Sequence, residues 1–287
     1  MSGSARRIRL ALAQMPHRQG RPATNIATAV RYVRAAAAHG ADLAVLPECF
    51  ADFARTYSEP VPDGPVCRRF SRLARELHLH LVMGSIGERR SGKVYNTSCL
   101  FDDRGELVGS YRKRFLWWTE RAEVSPGRRA PVFRTALGRI GLAICWDLAF
   151  PEHFRRLALA GAQLVAVPAY WQAGDRFGRL GPRRAPRAAR LSGAEEFFIN
   201  SCAAARAAEN SVILAFVNAS GRTRPDGRPD RLVGLTQVIQ PLAGVLRRAG
   251  PYPGMVVADV DLSWSREGER IYGTREDAAR LGGAARR

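Results

Sequence analysis

GADLAVLPE (40–48) sets an unbroken apolar run, LAVLP (43–47), between Gly40 and a glutamate, Glu48. A short apolar run without alternation is expected of a strand buried on both faces. The segment before it, 22–39, opens on Pro22 and repeats Ile26, Ala29, Val30, Val33 and Ala37 at helical spacing, with Gly40 as its stop. The helix–Gly–Ala–strand–Pro layout returns 121 residues later in GAQLVAVP (161–168). Two such units suggest a pseudo-symmetric architecture, although any chain of alternating helices and strands contains units of this kind.

Working outward, IRLALAQ (8–14) alternates as a strand does, and 66–78 repeats Val66, Phe70, Leu73, Ala74 and Leu77 as a helix. LHLVMGSIG (79–87), VYNTSCLF (94–101) and ELVGSY (106–111) read as strands, separated by the turn chemistry of Ser91-Gly92 and Asp103-Arg104-Gly105. RIGLAIC (139–145), LVAVP (164–168), SVILAFVN (211–218), LVGLTQVIQ (232–240) and MVVADV (255–260) complete the strands, and Pro151 suits the first turn of a helix over 151–160. The Gly/Arg/Pro-rich stretch 172–193 is expected to be a surface loop. The tail after Trp264 shows little apolar periodicity, so residues 263–287 are expected to form an arm, partly disordered or at an oligomer interface, after a domain spanning 1–262.

The 287 residues suit one large domain or two modest ones with a core that needs no staple. No run of ~18 apolar residues predicts a membrane span. The N-terminus lacks the apolar run of a signal peptide, and a reducing, cytoplasmic setting is the simple reading. Five cysteines without CxxC spacing point neither to a disulfide framework nor to zinc. The net charge of +19 alone suggests a polyanion partner. Yet of 45 basic residues only Lys93 and Lys113 are lysines, and the arginines are scattered, apart from a cluster over 176–190. Diffuse charge without a binding motif argues against nucleic acid as the main partner.

Three polar residues stand at strand ends: Glu48 after LAVLP, Cys145 after RIGLAI, and Lys113 in YRKRFLWW (111–118). Singly each has an ordinary reading. The glutamate is a solvated loop residue, the cysteine a small buried hydrophobe, and the lysine a side chain lying over apolar neighbours. Together they place a carboxylate, a thiol and an ammonium where α/β folds keep their sites. His78 and His80 offer at most a metal pair with no third ligand. No phosphate loop, GxSxG elbow or HExxH helix is present. The Asn96-Thr-Ser and Asn218-Ala-Ser sequons read as chance without a secretory signal.

LPECF (46–50), YRKRFLWW, ERAEVSPG (120–127) and ICWDLAFPE (144–152), with ARAAENSVILAFVNASG (205–221), resemble the nitrilase superfamily of carbon–nitrogen hydrolases. The resemblance covers about residues 8–262. It implies a four-layer α-β-β-α sandwich, a homodimer or larger homo-oligomer, and a Glu–Lys–Cys set falling on Glu48, Lys113 and Cys145. Glu120 is the best match for a second glutamate, with Glu123 the fallback. No metal or organic cofactor is implied.

In that scheme Glu48 takes the thiol proton, Cys145 attacks an amide carbon to form a thioester, and Lys113 with the Trp146 backbone N–H receives the oxyanion. Glu120 orients Lys113 or the substrate. Trp117, Trp118, Tyr170, Trp171 and Phe53 are expected to line an apolar pocket, against an alternative of plain core packing. Leu148 and Ala149 stand where many members carry a polar or basic residue, which lowers the case for N-carbamoyl amino acids. Asp147 fits amidase-like members. The expected substrate is a small amide or carbamoyl compound. The alternatives are a nitrile at the same site, or a catalytically silent binding or assembly member.

Overall fold

The computed structural model describes residues 7–173, 193–223 and 230–284. The arginine cluster at 176–190 therefore lies outside the described residues. Sixteen strands are described: β1 (Arg7–Gln14), β2 (Leu43–Val45), β3 (Ser58–Glu59), β4 (His80–Val82), β5 (Ile86–Arg90), β6 (Lys93–Phe101), β7 (Leu107–Arg112), β8 (Val132–Thr135), β9 (Gly138–Leu142), β10 (Leu164–Ala169), β11 (Ile213–Asn218), β12 (Arg222–Thr223), β13 (Asp230–Arg231), β14 (Gln237–Gln240), β15 (Gly244–Arg248) and β16 (Gly254–Asp261). The helices are α1 (Pro22–Ala38), α2 (Pro65–Leu77), α3 (Pro151–Leu159), α4 (Ala194–Glu209), α5 (Trp264–Tyr272) and α6 (Thr274–Ala284).

One sheet runs β16-β1-β2-β4-β6-β5-β3 with β7 also on β6, a second runs β15-β14-β11-β10-β9-β8, and β12 pairs with β13 in a small third. β1 shows how the layers arise. Its alternation turns Ile8, Leu10 and Leu12 into a core shared with Leu142, Ile144, Leu214 and Phe216 of the second sheet region. The small Ala11 and Ala13 face the other way, under Ile26, Ala29 and Val33 of α1 and Val66, Phe70 and Leu73 of α2. The first core continues through the second sheet to Phe154 and Leu157 of α3 and Ile199 and Ala203 of α4. The result is the expected α-β-β-α sandwich.

The two echoed units occupy like places. β2 lies parallel between β1 and β4, and β10 lies parallel between β9 and β11. Each unit's glycine, Gly40 and Gly161, adopts a left-handed φ of 67° and 86°. The units meet end to end, because the Glu48 N–H donates to the Ala169 carbonyl at 3.3 Å.

Several expectations are corrected. The strand expected over 79–87 is split into β4 and β5 by Gly84, whose φ is 67°. Residues 232–240 hold only β14, because Gly234 and Leu235 both take positive φ. β9 ends at Leu142, and Cys145 opens a 3-10 turn, Cys145–Ala149, with φ 46°. His78 closes α2 in the left-handed region while His80 begins β4, so the two imidazoles do not share a strand face. α4 went unread. The tail, expected as an arm, partly disordered or at an oligomer interface, carries two helices, α5 and α6, separated by Gly273. Its apolar stripe is missing because α5 packs with small residues: Ser265 and Gly268 are the buried ones, and a Cβ on Gly268 would lie 2.9 Å from Ser211 Oγ.

Candidate active site

Glu48 follows β2 by three residues, Lys113 follows β7 by one, and Cys145 follows β9 by three, so three strand ends deliver the three side chains. All three are buried; Glu48 is 3% exposed and Lys113 1%. The Lys113 ammonium donates to Glu48 Oε1 at 2.8 Å and to Glu120 Oε2 at 2.6 Å. The Cys145 thiol lies close enough to Glu48, Lys113 and the Tyr170 N–H for each to act on its protonation. That same N–H lies 2.9 Å from Glu48 Oε2. Trp117 N–H donates to Glu120 Oε2 at 2.7 Å, fixing the second carboxylate from its own loop. Glu123, the fallback, turns away to Arg55 at 3.1 Å.

Burial alone would pull the Lys113 ammonium down; the charges of Glu120 and Glu48 outweigh it and push it well above its ordinary value. Burial pushes Glu48 up, Lys113 pulls it partly back, and Glu120 adds to the rise. Burial, reinforced by the Glu48 charge, pushes the Cys145 thiol well up against the opposing pull of Lys113. The resting arrangement is thus a thiol beside a carboxylate that holds a proton more readily than an exposed one. An ammonium locked between two acids completes it. Such a set can pass the thiol proton to Glu48 as sulfur attacks, while the ammonium offers positive charge to an oxyanion.

Apart from the exposed Trp118, the expected pocket aromatics fall into two groups. Trp146 packs with Trp117 (centroids 4.5 Å apart), Trp171 (5.6 Å), Phe198 (5.8 Å) and Phe150 (6.1 Å). Tyr170 and Phe53 belong to a separate cluster, 4.9 Å apart, with Ala219 and Leu232. Asn96, read in the sequence only as part of a sequon, is a site residue that went unseen. It is buried on β6 and its amide donates to Glu48 Oε1 at 2.8 Å and Glu120 Oε1 at 3.2 Å. Only its facing Lys113 across the β6–β7 pair could have signalled this. Asn218, the other sequon residue, is also buried, accepting from the Trp171 N–H at 2.8 Å. Among the described residues no three His, Cys, Asp or Glu side chains gather as metal ligands.

The profile of the carbon–nitrogen hydrolase family matches residues 9–269. The chain belongs to the carbon–nitrogen hydrolase family. This hydrolase is 31% identical to the omega-amidase of Homo sapiens over 252 residues, 83% of each chain. It is similar in structure to an amidase from Nesterenkonia sp., with a TM-score of 0.70, 27% identity, and 93% and 96% of the two chains covered. Variants of the amidase from Nesterenkonia sp. AN1 have been solved, a glutamate-to-glutamine one with acrylamide added at the active-site cysteine and a cysteine-to-alanine one with butyramide. Nit3 of Saccharomyces cerevisiae, a nitrilase-superfamily member, shares the fold with a TM-score of 0.78 at 24% identity, over 93% and 94% of the chains. Within that family the hydrolase is amidase-like.

Proposed function

We propose that the protein hydrolyses the carbon–nitrogen bond of a small amide or carbamoyl compound through a thioester on Cys145. The observation that carries this reading is the Lys113 ammonium held between Glu48 and Glu120, with Cys145 close enough to the same Glu48 for each to act on the other's protonation. As Cys145 sulfur bonds to the carbonyl carbon, its proton passes to Glu48 and the carbonyl π electrons move to oxygen. Lys113 and the Trp146 N–H receive that oxyanion. Collapse breaks the carbon–nitrogen bond, and the nitrogen leaves with the proton from Glu48. Water, deprotonated by Glu48, then attacks the thioester, and the sulfur leaves and regains its proton. Glu120 keeps the ammonium charged and in place.

The amides named with the Nesterenkonia enzyme and the omega-amidase relatives support an amide over a nitrile. The aromatic group around Trp146 suits an apolar acyl chain. We read the assembly as a homodimer or larger; Leu159 on α3 and Ile271 and Tyr272 on α5 leave apolar side chains exposed for such contacts. Among the described residues no helix is long and apolar enough to cross a membrane. The test is ammonia release from a panel of amides, ureido compounds and nitriles, run beside Cys145→Ala. Release from amides by the parent alone is expected. Equal release by both proteins refutes the reading, and preference for nitriles would reassign the substrate.

A further inference from the structure

The Asp147 carboxylate is fully buried two residues after Cys145. Its Oδ2 accepts from the Ile144 N–H at 2.8 Å and the Tyr111 hydroxyl at 2.6 Å, and its Oδ1 accepts from the Phe115 N–H at 2.9 Å. The placement of these donors is specific. Ile144 immediately precedes Cys145, and Tyr111 and Phe115 stand two residues before and two after Lys113. A single carboxylate therefore fastens the turn carrying the thiol to both shoulders of the loop carrying the ammonium. Tyr111 tightens the same loop by accepting from the Arg114 N–H at 3.2 Å. The turn needs such a hold, because Cys145 is a non-glycine residue at φ 46°, a conformation that persists only when its surroundings enforce it.

We infer that Asp147, acting with Tyr111, is a positioning residue that sets the place of the Lys113 ammonium relative to the Cys145 sulfur. The inference rests on the roles given to those two residues above. Its chemistry is that of an acceptor facing three donors. An amide in its place offers one acceptor oxygen and turns an NH2 group toward a donor, so at least one bond becomes a repulsion.

Asp147→Asn and Tyr111→Phe, made in the full chain and again on Lys113→Ala, test this with two readouts. The first is kcat and KM on butyramide. The second is the pH profile of Cys145 alkylation by iodoacetamide, followed by peptide mass spectrometry so that other cysteines do not count. Tyr111→Phe is expected to lower kcat about 10-fold and Asp147→Asn about 100-fold, with KM changed less than about threefold. Both should move the alkylation profile to higher pH, since a displaced ammonium no longer favours the thiolate. On Lys113→Ala neither should move it further, because effects passing through one group are not additive. Tyr111→Phe keeps the ring and removes only the hydroxyl, so it carries the test if Asp147→Asn does not fold. An unchanged kcat and profile in Tyr111→Phe, or equal shifts with and without Lys113, overturns the inference. If the parent proves inert toward every amide, the reaction assigned above fails, while the alkylation profiles still decide the positioning claim.

Discussion

Lys113 is one of two lysines among 45 basic residues, and the site shows what an arginine in its place would lose. The ammonium is a compact charge gripped by two carboxylates at 2.8 and 2.6 Å in a space 1% exposed. A guanidinium keeps the charge but not the size or donor geometry. Lys113→Arg is therefore expected to lower kcat for amide hydrolysis by ~100- to 1,000-fold, as loss of an oxyanion donor does; retention of half the activity would remove Lys113 from that role. A second residue-scale consequence concerns His17. It is buried, 3.1 Å from the Tyr170 hydroxyl and 4.0 Å from Asp52, and burial lowers it to about 4. Between that value and the ordinary histidine value the unfolded chain binds the extra proton, so stability falls as pH falls through this window. The loss through His17 is about 1 kcal/mol by about pH 5.5 and about 3 kcal/mol near pH 4. Urea unfolding at neutral and mildly acid pH should show this drop in the parent and a smaller one in His17→Gln; equal drops would contradict it.

Elements are positioned by a few backbone approaches that only glycine allows. A Cβ on Gly84 would lie 2.1 Å from the Pro47 carbonyl oxygen, next to Glu48, and the residue sits at φ 67°. Gly84→Ala is expected to cost about 3 kcal/mol, by clash and left-handed strain together. It should also reduce turnover by shifting the end of β2; thermal melting and steady-state assays check both, and an unchanged melt would refute the close approach. Gly84 also marks where legibility stopped. Runs such as LAVLP and LVAVP were readable because both faces of β2 and β10 are covered, so every residue is apolar. The break after β4 was not, because a backbone-to-backbone contact leaves no trace in periodicity. Glu48, Lys113 and Cys145 stood out as polar ends of apolar runs, and the structure brings them together. Asn96 did not, because a buried amide inside a strand looks like any polar residue on a solvated face. The helical tail was hidden for a related reason: α5 buries Ser265 and Gly268 rather than large apolar side chains.

At the scale of the molecule, two facing sheets bring the ends of β2, β7, β9 and β10 to one place, and the C-terminal helices brace the far side. The Arg275 guanidinium donates to the carbonyls of Ala162 (3.1 Å), Asn210 (3.0 Å) and Ser211 (2.7 Å) and to Ser265 Oγ (2.8 Å). It thus ties α6 to the chain just before β10 and β11. Arg275→Ala, which strips partners from these carbonyls, is expected to cost about 3 kcal/mol in chemical denaturation; no change would mean the tail does not brace the sheet. The reaction proposed above places one chemical act at Cys145. The direct measurement is rapid acid quenching of the protein during turnover of butyramide, followed by peptide mass spectrometry. A butyryl group on the Cys145 peptide, absent in Cys145→Ala, is predicted. Steady turnover with that peptide always unmodified, or an acyl group on another residue, would contradict the account.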